Sequence, residues 1–113
     1  MKEIKLYLRK KKVDDIVHAL RDAGVTHMTI THVKSLGSGV DPDHVRISFE
    51  TGTKYTETAK LEFVCSEPDV DVLIPLIETH ARTGEPGDGI IFVSPVDRAV
   101  KIRTGVEGRE ALR

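Results

Sequence analysis

Apolar and polar positions alternate along KEIKLYLR, residues 2–9. Ile4, Leu6 and Leu8 fall on one side and Lys5, Tyr7 and Arg9 on the other, the pattern of a strand buried on one face. The period then changes. In VDDIVHALRDAG, residues 13–24, Val13, Ile16, Val17 and Leu20 recur at i, i+3, i+4 and i+7. Asp14 and Asp15 suit the positive N-terminal end, and Gly24 is placed to end the helix. Residues 25–34, VTHMTITHVK, are rich in β-branched residues and alternate again, with Met28 and Ile30 opposite His27, Thr29 and Thr31, so a second strand is predicted there.

From Ser35 sustained periodicity is lost for about twenty residues, a stretch with Gly37, Gly39, Pro42 and Gly52 that suggests at most a weak hairpin around HVRISFE. Loops this long inside a small domain are uncommon and usually functional. Alternation returns in TAKLEFVC, residues 58–65, with Ala59, Leu61, Phe63 and Cys65 on one face. Ser66 and Asp69 then approximate a capping box ahead of Val70, Leu73, Ile74, Ile77 and Ala81 at helical spacing. Pro75 inside this helix predicts a kink or irregularity. After the glycine-rich 83–89 come GIIFVSPV as a strand and RAVKIRTG as a short final strand, with a polar tail over 104–113.

The order is β-α-β, long loop, β-α-β-β. It predicts a single α+β domain over 1–113, in which an antiparallel four-stranded sheet carries both helices on one face. The other face would expose Tyr7 and Val64 together with Ile91 and Val93 or their neighbours, and open apolar sheet surface of that kind points to a homo-oligomer.

Composition narrows the function classes. A formal charge of -1, with 39% hydrophobic and 31% charged residues, fits an ordinary soluble domain and gives no global attraction for nucleic acid. The basic opening from Lys2 to Lys12 reads as a solvated rim. The lone Cys65 cannot form an internal disulfide and suits the core as a small hydrophobe; a cytoplasmic location is the natural expectation.

Catalytic motifs are scarce. The five histidines (His18, His27, His32, His44 and His80) are scattered, and a metal- or small-anion-responsive protein using His27, His32 or His44 is the alternative reading. An enzyme acting on nucleotides would have only Asp88 and Glu85 to offer as a base. Anion binding is better supported. Lys101 and Arg103, two apart on the expected final strand, would present both cations on one face, and the Gly84–Gly89 loop could offer backbone amides to an anion or be a plain turn.

With those residues identified, the chain resembles the PII signal-transduction family, the nitrogen regulatory P-II proteins, and reads as a divergent, PII-like member. The resemblance covers nearly the whole length. It is carried by residues 2–31, by VKSLG, by the stretch from AKLEFV to KIRTG, and above all by Thr83, Gly87-Asp88-Gly89, Ile91-Phe92-Val93 and Arg103-Thr104-Gly105. It implies a ferredoxin-like βαββαβ fold and a cytoplasmic homotrimer without enzymatic activity or prosthetic group. It also implies adenine nucleotide in clefts between subunits, and a long T-loop (37–58) that docks on a regulated protein such as a membrane transporter. Carried over by position, His27, Met28 and Thr29 with Lys101 and Arg103 of one subunit would face Leu36, Gly37, Ser38, Glu62, Val64 and Gly87, Asp88 and Gly89 (the B-loop being 83–89) of its neighbour. His44, Arg46, Phe49 and Tyr55 would form the partner-binding part of the T-loop.

Departures from the family pattern shape the ligand expected. Ile90 stands where a basic residue follows Gly-Asp-Gly, Ser38 and Gly39 replace an arginine and a glutamine, Thr58 replaces a lysine, and Lys101 replaces an arginine. Each lost charge-assisted contact removes about 1.5–3 kcal/mol, which favours AMP or ADP over ATP, with cyclic AMP or bicarbonate as further candidates. Gly39 also argues against magnesium and 2-oxoglutarate binding, and Phe49 and Thr51 against inherited covalent modification of the loop.

Overall fold

The computed structural model describes residues 1–36, 45–47 and 54–113, with the backbone alone at 45–47 and 54. The elements are β1 (Lys2–Arg9), α1 (Val13–Asp22), β2 (Thr29–Leu36), β3 (Val45–Ile47), β4 (Lys54–Cys65), α2 (Glu67–Ala81) and β5 (Ile90–Pro95). Short 3-10 turns span Lys10–Lys12 and Gly108–Leu112.

All strand pairings are antiparallel and the order is β2-β4-β1-β5. β3 pairs only with the first residues of β4, Val45 opposite Thr56 and Ile47 opposite Lys54. Without β3 this is the ferredoxin-like βαββαβ arrangement. The alternation in β1 and β4 sets which face is covered: Ile4, Leu6, Leu8, Ala59, Leu61, Phe63 and Cys65 are buried with Ile16 and Leu20 of α1 and Leu73 and Ile77 of α2 in one core. Both helices therefore lie on the same side of the sheet.

Each helix end has a local cause. Gly24 adopts φ 99°, and the Val25 amide reaches back to the Leu20 carbonyl at 2.9 Å, closing α1 in the manner a left-handed glycine allows. α2 starts after Ser66, whose carbonyl, rather than its hydroxyl, accepts from the Asp69 amide at 3.0 Å. It runs through Pro75 as one helix of 15 residues, and the Thr79 hydroxyl donates to the Pro75 carbonyl at 2.9 Å.

The structure revises three sequence expectations and decides a fourth that was left open, the apolar residues of the open face. The second strand begins at Thr29, not Val25, because residues 25–28 are taken up in leaving α1. β4 begins at Lys54, so its first five residues belong to the stretch assigned to the long loop; cross-strand pairing to β2 and β3 extends it there. The pleat puts Ile90 and Phe92, opposite Tyr7 and Lys5, on the open face, while Ile91 and Val93 pair with Leu6 and Ile4 on the helix side. Finally, the expected C-terminal strand is reduced to a single bridge between Val100 and Glu107 around a tight turn. Residues 102–104 lie in that turn, where the Gly105 amide bonds the Lys101 carbonyl at 2.7 Å and Gly105 takes φ 74°.

Candidate functional site

At the Arg9 end of β1 the glycine-rich loop is fastened from within. Asp88 accepts through Oδ2 from the amides of Thr83 (2.8 Å) and Gly84 (2.9 Å). Its Oδ1 accepts from the Thr83 hydroxyl and from Arg9 Nε (3.1 Å), and Arg9 also donates to the Pro86 carbonyl at 2.8 Å. Burial alone would raise the Asp88 carboxyl, but the donors from Thr83, Gly84 and Arg9 outweigh it and hold the group well below the usual carboxylate range. Gly89 is required by space as well as by angle: at φ +103° a Cβ there would lie 1.7 Å from the Tyr7 carbonyl oxygen. Asp88, expected among the ligand contacts and considered as a base, has its carboxylate engaged by the loop itself. Its neighbours Gly87 and Gly89 are thereby held in place.

Beside this loop lies the base of the 37–58 segment. Thr56 and Thr58 are buried, Lys34 Nζ sits 5.0 Å from the centre of the Tyr55 ring, and Lys10 pairs with Glu57 at 3.3 Å. Leu36, opposite Tyr55, is half exposed at the same end. Gly37, Ser38, His44 and Phe49 lie outside the described residues, as does the side chain of Arg46.

The opposite end of the sheet carries a cavity of about 1350 Å³. Its walls include His27, Met28 and Thr29 from the run into β2, Glu62 and Val64 from β4, and Arg109–Arg113 from the C-terminal turn. Glu62 is the direct cross-strand partner of Thr29. Within one chain, then, Glu62 and Val64 adjoin His27, Met28 and Thr29, residues that the sequence reading had assigned to two different subunits of a cleft. Lys101 does not extend from a strand but donates its ammonium to the Arg113 carbonyl, which ties it to the same cavity wall. Arg103 sits exposed in the adjoining turn, and Ile102 between them is fully exposed, so the two cations are presented by a turn and not by one strand face.

The two regions cannot meet within a chain. Leu8, next to Gly89, and Glu3, in the cavity wall, are separated by five residues of β1, about 17 Å at 3.4 Å per residue. Between them the open face presents Tyr7 packed edge-on against Phe92 (centroids 6.3 Å apart, planes at 87°), with Ile90 and Phe92 about half exposed.

Sequence reasoning missed the Arg9–Asp88 bond and the cavity role of Arg109–Arg113. Arg9 and Asp88 are 79 residues apart, and Arg109 reaches Ser66 Oγ at 3.2 Å across 43 residues. The Thr83–Asp88 half of the loop was in principle legible, because a threonine and an aspartate five apart around glycines commonly bond each other's backbone. Among the described residues no group of three or more His, Cys, Asp or Glu could hold a metal ion, and no helix is long and apolar enough to cross a membrane. Cys65 lies in the core, where burial first and then Asp69 push its thiol up, against a smaller opposing effect of the N-terminal ammonium.

Comparison with known proteins agrees with this architecture. The family model for nitrogen regulatory protein P-II matches residues 1–106. The chain is 37% identical over 112 residues to the nitrogen regulatory protein P-II of Synechocystis sp., covering 99% of this chain and all of that one. It is 36% identical to the nitrogen regulatory protein P-II of Pasteurella multocida, again over that protein's full length, and 36% identical to nitrogen regulatory protein P-II 2 of Methanothermobacter thermautotrophicus, over 97% of it. Proteins of this family are regulatory signal transducers rather than enzymes, and binding of adenine nucleotides and assembly as homotrimers are typical of them. From the match along its length and the shared fold, the chain belongs to the nitrogen regulatory protein P-II family.

Proposed function

We propose that this protein senses an adenine nucleotide of the AMP or ADP class in clefts that a second copy of the chain completes, and reports it to a partner protein through residues 37–58. One observation carries the reading: the two sets of candidate ligand residues sit at opposite ends of one sheet. The fastened Gly87–Gly89 loop and Leu36 are at one end, and His27, Met28, Thr29, Glu62, Val64 and the Lys101–Arg103 turn at the other. Only a neighbouring copy can bring a loop from the first end against a cavity at the second.

The surface of exposed Ile90 and Phe92 with half-buried Tyr7 supplies a face on which copies can pack. In the completed cleft Glu62 would accept from the adenine edge, the glycine amides and Lys101 and Arg103 would take phosphate oxygens, and Ile90 would withhold the contact that a longer phosphate chain needs. Tyr55 and Thr56, close in the fold to the fastened loop, place the root of the 37–58 segment where ligand can bias its posture. That bias requires different affinities for two loop states, since a ligand binding both equally shifts neither. A membrane transporter is the partner class we favour.

Titration calorimetry with ATP, ADP, AMP and cyclic AMP, with light scattering for mass, tests the proposal. AMP or ADP binding to a trimer supports it. ATP binding tightest, with magnesium and 2-oxoglutarate cooperativity, or a monomer that binds nucleotide, overturns it.

A further inference from the structure

The C-terminal turn Gly108–Leu112 closes one side of the cavity, yet it buries none of its own side chains. It is held by polar contacts: Gly108 N to the Ala99 carbonyl (2.9 Å), Arg98 to Glu107 (2.6 Å), the Lys101 ammonium to the Arg113 carbonyl, and Arg109 Nε to Ser66 Oγ (3.2 Å). Arg109 differs from most other arginines of the chain. Arg9, Arg82, Arg98 and Arg113 are each paired with a carboxylate, whereas Arg109 is oriented by a neutral hydroxyl through Nε alone. Its Nη1 and Nη2 form no hydrogen bond or ion pair among the described residues. A guanidinium fixed through Nε keeps its terminal edge, two parallel N–H donors, for a bidentate acceptor.

Two of the cavity's four acidic side chains are paired with cations of their own. Glu62 is paired with Lys60 (3.4 Å) and Glu110 with Arg113 (3.4 Å), which leaves Glu3 and Asp69 as the other carboxylates of the wall. Resting on the nucleotide reading above, we propose that Arg109 is a specificity-determining ligand residue. Its guanidinium edge takes the phosphate of a nucleoside mono- or diphosphate, supplying from the C-terminal turn a cation of the kind that Ile90 no longer supplies from the glycine-rich loop. Ser66 is the positioning residue that aims it. The site thereby favours a short phosphate, held between Arg109 and the neighbour's glycine amides, over a longer chain.

The test is calorimetric titration of the full-length wild type, Arg109→Ala, Arg109→Lys and Ser66→Ala with AMP, ADP and adenosine. Arg109→Ala is expected to weaken AMP about tenfold and leave adenosine unchanged, because one charge-assisted contact is lost and the base contacts are not. Arg109→Lys should recover only part of the loss, and Ser66→Ala should lose about threefold on AMP, through orientation alone. Equal AMP affinity of Arg109→Ala and wild type overturns the assignment, as does an equal loss for adenosine and AMP, which marks a packing role. A wild type that binds neither AMP nor ADP removes the nucleotide reading and this inference together; one that binds both with Arg109→Ala unaffected removes this inference alone.

Discussion

The two loops that frame the candidate cleft are built on opposite principles. The 83–89 loop is locked by a largely buried arginine, a carboxylate with four donors and a glycine that no other residue can replace; the C-terminal turn is tied by contacts on the surface. The first loop is held by its own hydrogen bonds, so presenting its amides to an anion would cost little further ordering entropy. The second is held by exposed polar contacts, each of which contributes little to stability.

The largest effect that should break this contrast is Gly89→Ala. A methyl group 1.7 Å from the Tyr7 carbonyl, at φ +103°, should cost about 3 kcal/mol or more, read as a lower midpoint in thermal or denaturant unfolding. Arg9→Ala comes next. It leaves the Asp88 carboxylate without its cation and the Pro86 carbonyl without its donor, for about 2–3 kcal/mol in the same assay.

Acid should separate the two loops in a different way. Because Asp88 is held below its unfolded value, its contribution to stability is fully present above about pH 4 and is lost as pH falls through the lower folded value. Unfolding midpoints of wild type should therefore fall below pH 4 more steeply than those of Asp88→Asn, which should already be about 2 kcal/mol less stable at neutral pH. The smallest effect is expected at the other wall: Arg98→Ala, which removes the exposed pair with Glu107, should change stability by about 0.5 kcal/mol or less. A loss there comparable to Arg9→Ala would show that the C-terminal turn is as firmly built as the glycine-rich loop, and the contrast would fall.

Much of the fold was legible in the chain because its signals are local. Ile4, Leu6 and Leu8, and then Ala59, Leu61, Phe63 and Cys65, alternate without interruption, and every one of them is buried. Gly24 ends α1 where its spacing said it would. The expected strand over VKIRTG failed for an equally physical reason. Strand-like alternation at Val100, Ile102 and Thr104 needs a neighbouring strand to bond to, and the chain turns back at Gly105 before one is available. Pro75 does not end α2, since a helix packed through Leu73 and Ile77 tolerates one missing backbone bond.

Residue pattern by itself determined the β-α-β and β-α-β halves, the buried faces of β1 and β4 and both helices, since each depends on neighbours within one or two turns of chain. Tertiary structure alone decided which candidate residues share a wall. Glu62 joined Thr29 because β4 lies between β2 and β1, Arg109 reached Ser66 because the C-terminal turn folds back over the sheet's end, and Arg9 met Asp88 because β5 returns beside β1. Register and return paths of this kind follow from the packing of the whole sheet, which no local stretch of sequence contains.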